Sequence, residues 1–108
     1  MPEAQDIGEI VARRDLRATA PDGSSFPVSL QVGTPRPDPT PGGDWVCPCR
    51  VEGLDGSSVS EIHGVDGLQA LALAVDTVRI RLRHLAEAGN LTFVWGDEAG
   101  LSAAEVSL

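Results

Sequence analysis

Two cysteines and a histidine are the first side chains in this sequence whose types and spacing suit chemistry. Cys47 and Cys49 are separated by one proline, and side chains two positions apart on a strand share a face. Both sulfurs could therefore reach one metal ion, with nitrogens supplied by His63 or His84. However, zinc-binding cysteines are usually separated by two to four residues, and these two share their strand parity with apolar neighbours. We therefore favour core packing for both cysteines and keep a metal or redox site as the alternative.

Arginines form a second candidate site. Arg13, Arg17 and Arg50 have the strand parity opposite to the apolar residues. In a sheet covered by one helix, this parity faces away from the helix, where guanidinium groups could bind an anion or the acidic surface of a partner. Arg36, in a proline-rich run, is grouped with them. The alternative is a solvated face on which neighbouring carboxylates pair with the arginines.

Alternating apolar and polar residues predict the strands that would position these side chains. The predicted strands are 9–19, 26–33, 45–53 and a shorter one at 58–63. The register of the last strand stays open, because Val59 and Ile62 differ in parity unless a bulge intervenes. Turns are predicted at 21–24, where the sequence is Pro-Asp-Gly-Ser, and at 54–57, which contains Asp-Gly.

One long helix follows, with sequence signals at both ends. Asp66 is the predicted N-cap, Gln69 has capping-box spacing, and Gly89-Asn90 is a helix-ending pair. The predicted apolar stripe consists of Leu68, Leu71, Val75, Val78, Leu82 and Leu85. Alanines beside this stripe, at 70, 72 and 74, would let the helix lie close to the sheet.

The remaining segments carry weaker signals. Four prolines in 34–43 exclude helix and central strand and predict an irregular, polyproline-like connection. Residues 91–95 are either a short fifth strand or an apolar tail packed on the core. We expect a flexible N-terminus at 1–8 and a flexible C-terminal tail at 96–108, where too little chain follows Ser102 for a stable helix.

Composition limits the functional classes. A chain of 108 residues predicts a single domain over 1–108, with its ordered core at about 9–95. The formal charge of −8 disfavours nucleic acid as a partner. The sequence has no apolar stretch long enough to span a membrane and no secretory signal, so we expect no membrane association and a cytoplasmic location. It has no glycine-rich phosphate loop, and we expect no cofactor.

Several stretches taken together resemble a family of small, stand-alone bacterial domains of unknown function. They are ARRDLRA near the start, VGTPRPDP, DWVCPCRVEGL, and GVDGLQALALAV at the start of the helix. The resemblance covers roughly residues 10–95. It implies a compact α+β domain and transfers no activity and no catalytic residue.

These observations predict an α+β fold in which an antiparallel four-stranded meander packs against one long C-terminal helix, with a short fifth strand as an option. The function expected is a non-catalytic binding module, such as an accessory or immunity-type protein that binds a protein partner or a second copy of itself. The alternative is a small metal-binding or hydrolytic enzyme centred on Cys47, Cys49 and His63.

Overall fold

The computed structural model describes residues 7–40, 43–54 and 58–107. Its strands are β1 (Ile10–Thr19), β2 (Ser25–Gly33), β3 (Arg36–Pro37), β4 (Trp45–Glu52), β5 (Ser60–Gly64), β6 (Thr92–Trp95) and β7 (Glu98–Leu101). Its helices are α1 (Gly67–Gly89) and α2 (Ala103–Val106). The α+β class, with an antiparallel sheet and one long helix, is confirmed. The expected count of four strands is too low, because the sheet has seven.

Strand pairing fixes the order of the sheet. Cys49 pairs with both β2 and β5, and Val46 pairs with both β3 and β5. Strand β5 therefore lies along one side of β4, while β2 and β3 follow one another along the other side. The sheet runs β5–β4–β2–β1–β6–β7, with β3 continuing β2. The proline-rich run thus contributes a short strand, which sequence periodicity did not predict because only Arg36 and Pro37 pair.

The predicted turn at 21–24 is present, and the open question about β5 is settled. Gly23 has a φ of 88°, and the Asp22 carboxylate accepts from the Ser24 amide at 2.9 Å. Strand β5 pairs with β4 over five residues without a register shift. Ile62 faces α1 and Val59 precedes the strand, so no bulge is needed. Three residues of the predicted turn at 54–57, namely 55–57, lie outside the described residues.

Helix α1 begins and ends where its cap signals predict. The Asp66 carboxylate accepts from the Gln69 amide at 2.8 Å, and the Gln69 side chain accepts from the Val65 amide at 2.8 Å. At the other end, Asn90 is left-handed, with a φ of 51°. Its amide donates to helix carbonyls and so closes the last turn.

The predicted apolar stripe of α1 is confirmed at Val78 and Leu82, which are buried, and wrong at Leu68, which is exposed. The buried residues are Ala70, Ala74, Val78, Leu82 and Ala86. Of the predicted stripe, Leu71, Val75 and Leu85 are only partly buried, and Leu68 is 77% exposed. The reason is close packing, because a Cβ added at Gly64 would lie 2.5 Å from the Ala70 amide nitrogen. Small side chains of α1 therefore contact the sheet directly, and the larger side chains of the helix lie on either side of this contact.

The C-terminal region forms more structure than its sequence predicts. The strand option for 91–95 is confirmed, since β6 pairs with β1, Arg17 opposite Val94. Residues 98–101 add β7, and Ser102 and Glu105 form a capping box that begins α2. The expectation of no helix after Ser102 is wrong, because Val106 is fully buried and tertiary packing stabilises this single turn.

Near the N-terminus, Ile7 is buried although it belongs to the segment that we expected to be flexible. The other residues of that segment, apart from Gly8, lie outside the described ones. A Cβ added at Gly33 would meet both Ile7 and the Pro48 ring. Because Pro48 alternates with the core-facing cysteines, Ile7 packs against the side of the sheet opposite α1.

Candidate functional site

The face of the sheet opposite α1, called the open face from here on, carries all four arginines of the predicted site. Arg13 and Arg17 lie on β1, Arg50 on β4 and Arg36 on β3. On β1 and β4, the residues that belong to the core under α1 alternate with Arg13, Arg17 and Arg50. Arg36 pairs with Val46, which alternates with the core residue Cys47. The predicted orientation of these arginines therefore agrees with the register of the sheet.

The register arranges the centre of the open face into rows of opposite charge. One row across β1, β2 and β4 is Arg13, Gln31 and Arg50. The neighbouring row is Asp15, Ser29 and Glu52. Adjacent strands are about 4.8 Å apart, so two guanidinium groups flank an amide, and two carboxylates flank a hydroxyl in the next row. Taken together, the two rows carry no net charge.

Gln31 is the centre of this arrangement and is only 2% exposed. Its carbonyl oxygen accepts from Arg50 Nε at 2.7 Å. Its amide nitrogen donates to Ser29 Oγ at 3.2 Å and to Glu52 Oε1 at 3.3 Å. Arg50 Nη2 lies 3.2 Å from Glu52 Oε2. Both ends of the Gln31 amide are therefore satisfied, and Arg50 is held in a single direction.

Arg13 extends the network to β1. Its Nε and Nη2 donate to Asp15 Oδ1 at 3.2 and 3.0 Å, and Nη2 also donates to Ser29 Oγ at 3.3 Å. The hydrogen bond from Arg13 lowers the pKa of Asp15 below its ordinary value, and a hydrogen bond with Ser29 adds to this effect. The carboxylate is thus held in its charged form.

Arg17 and Arg36 lie on the same face but apart from the network. Arg17 Nε donates to Ser25 Oγ at 3.0 Å, and Arg36 forms an ion pair with Glu61 of β5. Arg17 lies four residues along β1 from Arg13. Arg36 pairs opposite Val46, which lies four residues along β4 from Arg50. Each is therefore about 13 Å from the central row. The four arginines therefore spread across the open face and do not converge on one point, so the site is an extended surface.

The two cysteines lie on the opposite side of the sheet, in the core. Both are fully buried, neither forms a disulfide, and Cys47 Sγ lies 3.2 Å from the Gly33 carbonyl oxygen. Burial raises the pKa of both thiols, that of Cys49 to about 11. Both cysteines therefore remain neutral thiols near pH 7 and act as small apolar side chains.

His63 does not join the cysteines. It pairs with Val46 and therefore lies on the open face, where its Nδ1 is 3.8 Å from Asp38 Oδ2. The sheet itself separates His63 from Cys47 and Cys49. Within residues 7–40, 43–54 and 58–107, no three His, Cys, Asp or Glu side chains are grouped as metal ligands would be.

Sequence reasoning missed two features near the site. The alternation of 26–33 turns Gln31 away from the apolar side but does not show that it is buried, because only the register shows that it lies between two arginines. Arg14 interrupts the apolar parity of β1, and its guanidinium carbon lies 4.0 Å from the centroid of the Trp95 ring. Arg14 Nη1 also donates to the Val106 carbonyl at 3.0 Å. The interruption was the visible signal that Arg14 anchors the C-terminal region.

Comparison with known proteins gives the family. The model of a domain of unknown function (DUF6968) matches residues 12–103. The chain belongs to this family. No curated protein and no solved structure matches the chain.

Membership of a family of domains of unknown function, expected from the sequence, is thereby confirmed. The part matched by DUF6968 runs from β1 to the first residue of α2 and contains the whole arginine network. No helix in the described part of the chain is both long enough and apolar enough to cross a membrane.

Proposed function

We propose that this protein is a non-catalytic interaction module that binds a protein partner through its open face. The observation that supports this proposal is the burial of Gln31 on a face that α1 leaves uncovered. Gln31 is buried by the polar side chains laid over it, and these same side chains form the surface that a partner would meet. Folding therefore builds a defined polar surface.

A fixed arginine is a better binding group than a mobile one. An arginine side chain carries about 2 kcal/mol of rotamer entropy, which is lost when it is immobilised. Gln31 and Glu52 hold Arg50, and Asp15 and Ser29 hold Arg13, so part of this entropy is lost on folding. Partner binding then loses less entropy, which is how preorganisation raises affinity.

The alternating charge of the rows favours a folded protein as the partner. A nucleic acid presents phosphates of one sign, and the row of Asp15 and Glu52 would repel them. A protein surface can present carboxylates to one row and basic groups to the other, which gives electrostatic complementarity and hence specificity. A polar surface with charges of both signs also suits the rim of a hydrated interface.

The enzyme alternative receives no comparable support from the geometry. A metal-binding or hydrolytic site made of Cys47, Cys49 and His63 would need the three side chains on one face. The two thiols are buried under α1, and the imidazole lies on the open face.

The proposal is tested by cross-linking the protein to its partner in a lysate of the source organism. Because the chain has no lysine, the cross-linker should react with carboxylates, of which Asp15 and Glu52 lie within the surface. We expect mass spectrometry to place the cross-links of one partner on β1 and β4. The double variant Arg13→Ala/Arg50→Ala should lose this partner.

Arg83→Ala removes an exposed arginine from α1 and is the matched control, which should retain the partner. Equal capture by the control and the double variant would contradict the proposal, as would cross-links confined to α1.

A further inference from the structure

Strands β5 and β7 lie at the two ends of the sheet and differ in how well they could accept another strand. Edge strand β7 pairs irregularly with β6, with a register shift, and contains Gly100 at a φ of 71°. Edge strand β5 pairs regularly with β4 over all five residues and contains no proline. Natural proteins usually protect an edge strand with a bulge, a proline or a lysine. Of these two ends, β5 is the regular one, without a bulge, a proline or a lysine.

The sequence of β5 is complementary to itself. In an antiparallel pair centred on Ile62, Glu61 lies directly opposite the partner's His63, and His63 lies opposite the partner's Glu61. Directly opposed side chains in such a pair have Cβ atoms about 4.5–5.5 Å apart. A twofold axis through Ile62 therefore produces two pairs of an acid and an imidazole, as an isologous interface requires.

Other charged groups beside these pairs are compatible with self-pairing. Arg36 forms an ion pair with Glu61, and the Asp38 carboxylate lies 3.8 Å from His63. Each imidazole would lie between the carboxylate of Asp38 and the partner's Glu61. Arg36 and Asp38 thus position the Glu61 and His63 side chains that would meet across the new interface.

Helix α1 runs along β5 and provides a second, apolar contact. Ala70 packs against Gly64 at one end of β5, and Arg81 donates to Ser60 Oγ at 3.0 Å at the other end. Ile80 borders one hollow with Arg81 and another with Ala104 of α2, so it lies on the outer side of the helix, between the two. Ile80 is 46% exposed, an unusual environment for a large aliphatic side chain.

Leu73 lies two turns before Ile80 and is 41% exposed. Thr77 stands between them and donates its hydroxyl to the Leu73 carbonyl at 2.7 Å. Pairing of two β5 strands would place the two α1 helices side by side across the twofold axis. Leu73 and Thr77 would then lie close to the partner helix, and the apolar surface of Leu73 would be removed from water.

From these observations we infer that the protein forms a twofold homodimer by antiparallel self-pairing of β5, centred on Ile62. The dimer has one continuous sheet, with the two α1 helices packed together on one side. This inference does not depend on the proposed function, because the network of Arg13, Gln31 and Arg50 remains uncovered in the dimer.

Light scattering at tens of micromolar protein tests the inference. The wild-type protein should have the mass of a dimer. His63→Glu places a carboxylate opposite the partner's Glu61 in both pairs and should weaken the dimer at least about tenfold. The double variant Glu61→Gln/His63→Glu removes the facing carboxylates without bringing a cation against Arg36, and it should restore most of the dimer. Ala99→Glu adds a carboxylate to the other edge strand, β7, and should leave the dimer intact.

A cross-linking experiment decides the matter even if His63→Glu fails to fold. In Ile62→Cys, the twofold axis brings the new thiol close to its own copy, and a short thiol-reactive linker should join the two chains. Cys47 and Cys49 are buried and should not react in the native protein. Glu98→Cys, on β7, is the control that should remain a single chain. A monomeric wild-type protein, or equal cross-linking of the two cysteine variants, overturns the inference.

Discussion

The two faces of the sheet bury side chains to the same depth by different means. Under α1, Cys49 and Val51 are excluded from water by apolar packing. On the open face, Gln31 is equally inaccessible, but arginine and glutamate side chains lying over it exclude the water. Burial alone therefore does not identify the hydrophobic core. The two kinds of burial should also respond differently to mutation and to pH.

The largest effect is expected under α1. Leu82→Ala removes a fully buried side chain from the core and should lower the free energy of unfolding by about 2–5 kcal/mol. Leu68→Ala, on the same helix but mostly exposed, should change it by less than about 0.5 kcal/mol. Urea denaturation measures both variants. Equal losses would mean that the buried side of α1 is assigned incorrectly.

The next effect is alkaline destabilisation through the core thiols. The pKa of Cys49 is about 11 in the folded protein and near 9.0 in the unfolded chain. The unfolded state therefore loses its proton first, so stability is constant below pH 9 and falls as the pH rises towards 11. For Cys49 alone the expected loss is on the order of 2 kcal/mol. The chain has no lysine and no tyrosine, so this pH range reports almost entirely on the cysteines.

Urea denaturation at a series of pH values tests this effect, with Cys49→Ala as the comparison. The variant should be less stable near pH 7, but its stability should depend less on pH above 9. An unchanged slope in the variant would show that Cys49 is not the titrating group.

A smaller effect is expected on the open face. Gln31→Ala leaves Arg50 Nε without its acceptor and should cost about 1–3 kcal/mol. Because the two side chains share one hydrogen bond, the loss in Gln31→Ala/Arg50→Ala should be less than the sum of the single losses. A double-mutant cycle by urea denaturation measures the coupling. Strict additivity would show that the network does not hold Arg50.

The smallest effect is expected at the exposed end of the same network. Arg13 and Asp15 are both more than half exposed, so Arg13→Ala should change the free energy of unfolding by less than about 1 kcal/mol. Its signature is the pKa of Asp15, which should rise because the main cause of its lowering is removed. An NMR titration of the Asp15 carboxyl measures this shift, and an unchanged pKa would exclude the hydrogen bond in solution.

The sequence predicted elements wherever a local rule sets the structure. Strand alternation, the turn at 21–24, and the caps Asp66 and Asn90 depend on neighbouring residues alone, and the structure agrees with them. The stripe of α1 was predicted correctly at Val78 and Leu82, but the exposure of Leu68 was missed, because the choice of buried residues depends on how closely the helix approaches Gly64. Strand β7 and helix α2 were missed because Val106 is stabilised by contacts with distant parts of the chain.

The same distinction applies to the candidate site. Strand parity alone placed Arg13, Arg17 and Arg50 on the open face and the cysteines on the core face. Sequence could not show that Gln31 lies between Arg13 and Arg50, because this depends on the pairing of three strands. Because the sequence left the register of β5 open, it also could not show that His63 faces away from the cysteines.

The path of α1 also determines the order in which the molecule can be assembled. Strands β1, β2, β4 and β5 each pair with a strand that is close in the sequence. Strand β6, in contrast, pairs with β1 although the two are far apart in the sequence: Arg17 lies opposite Val94, 77 positions later. Contacts between residues so far apart in sequence form slowly. During synthesis, the outer edge of β1 at Arg17–Thr19 therefore stays unpaired until β6, which follows α1, has left the ribosome. We expect β6, β7 and α2 to close that edge in the last step of folding.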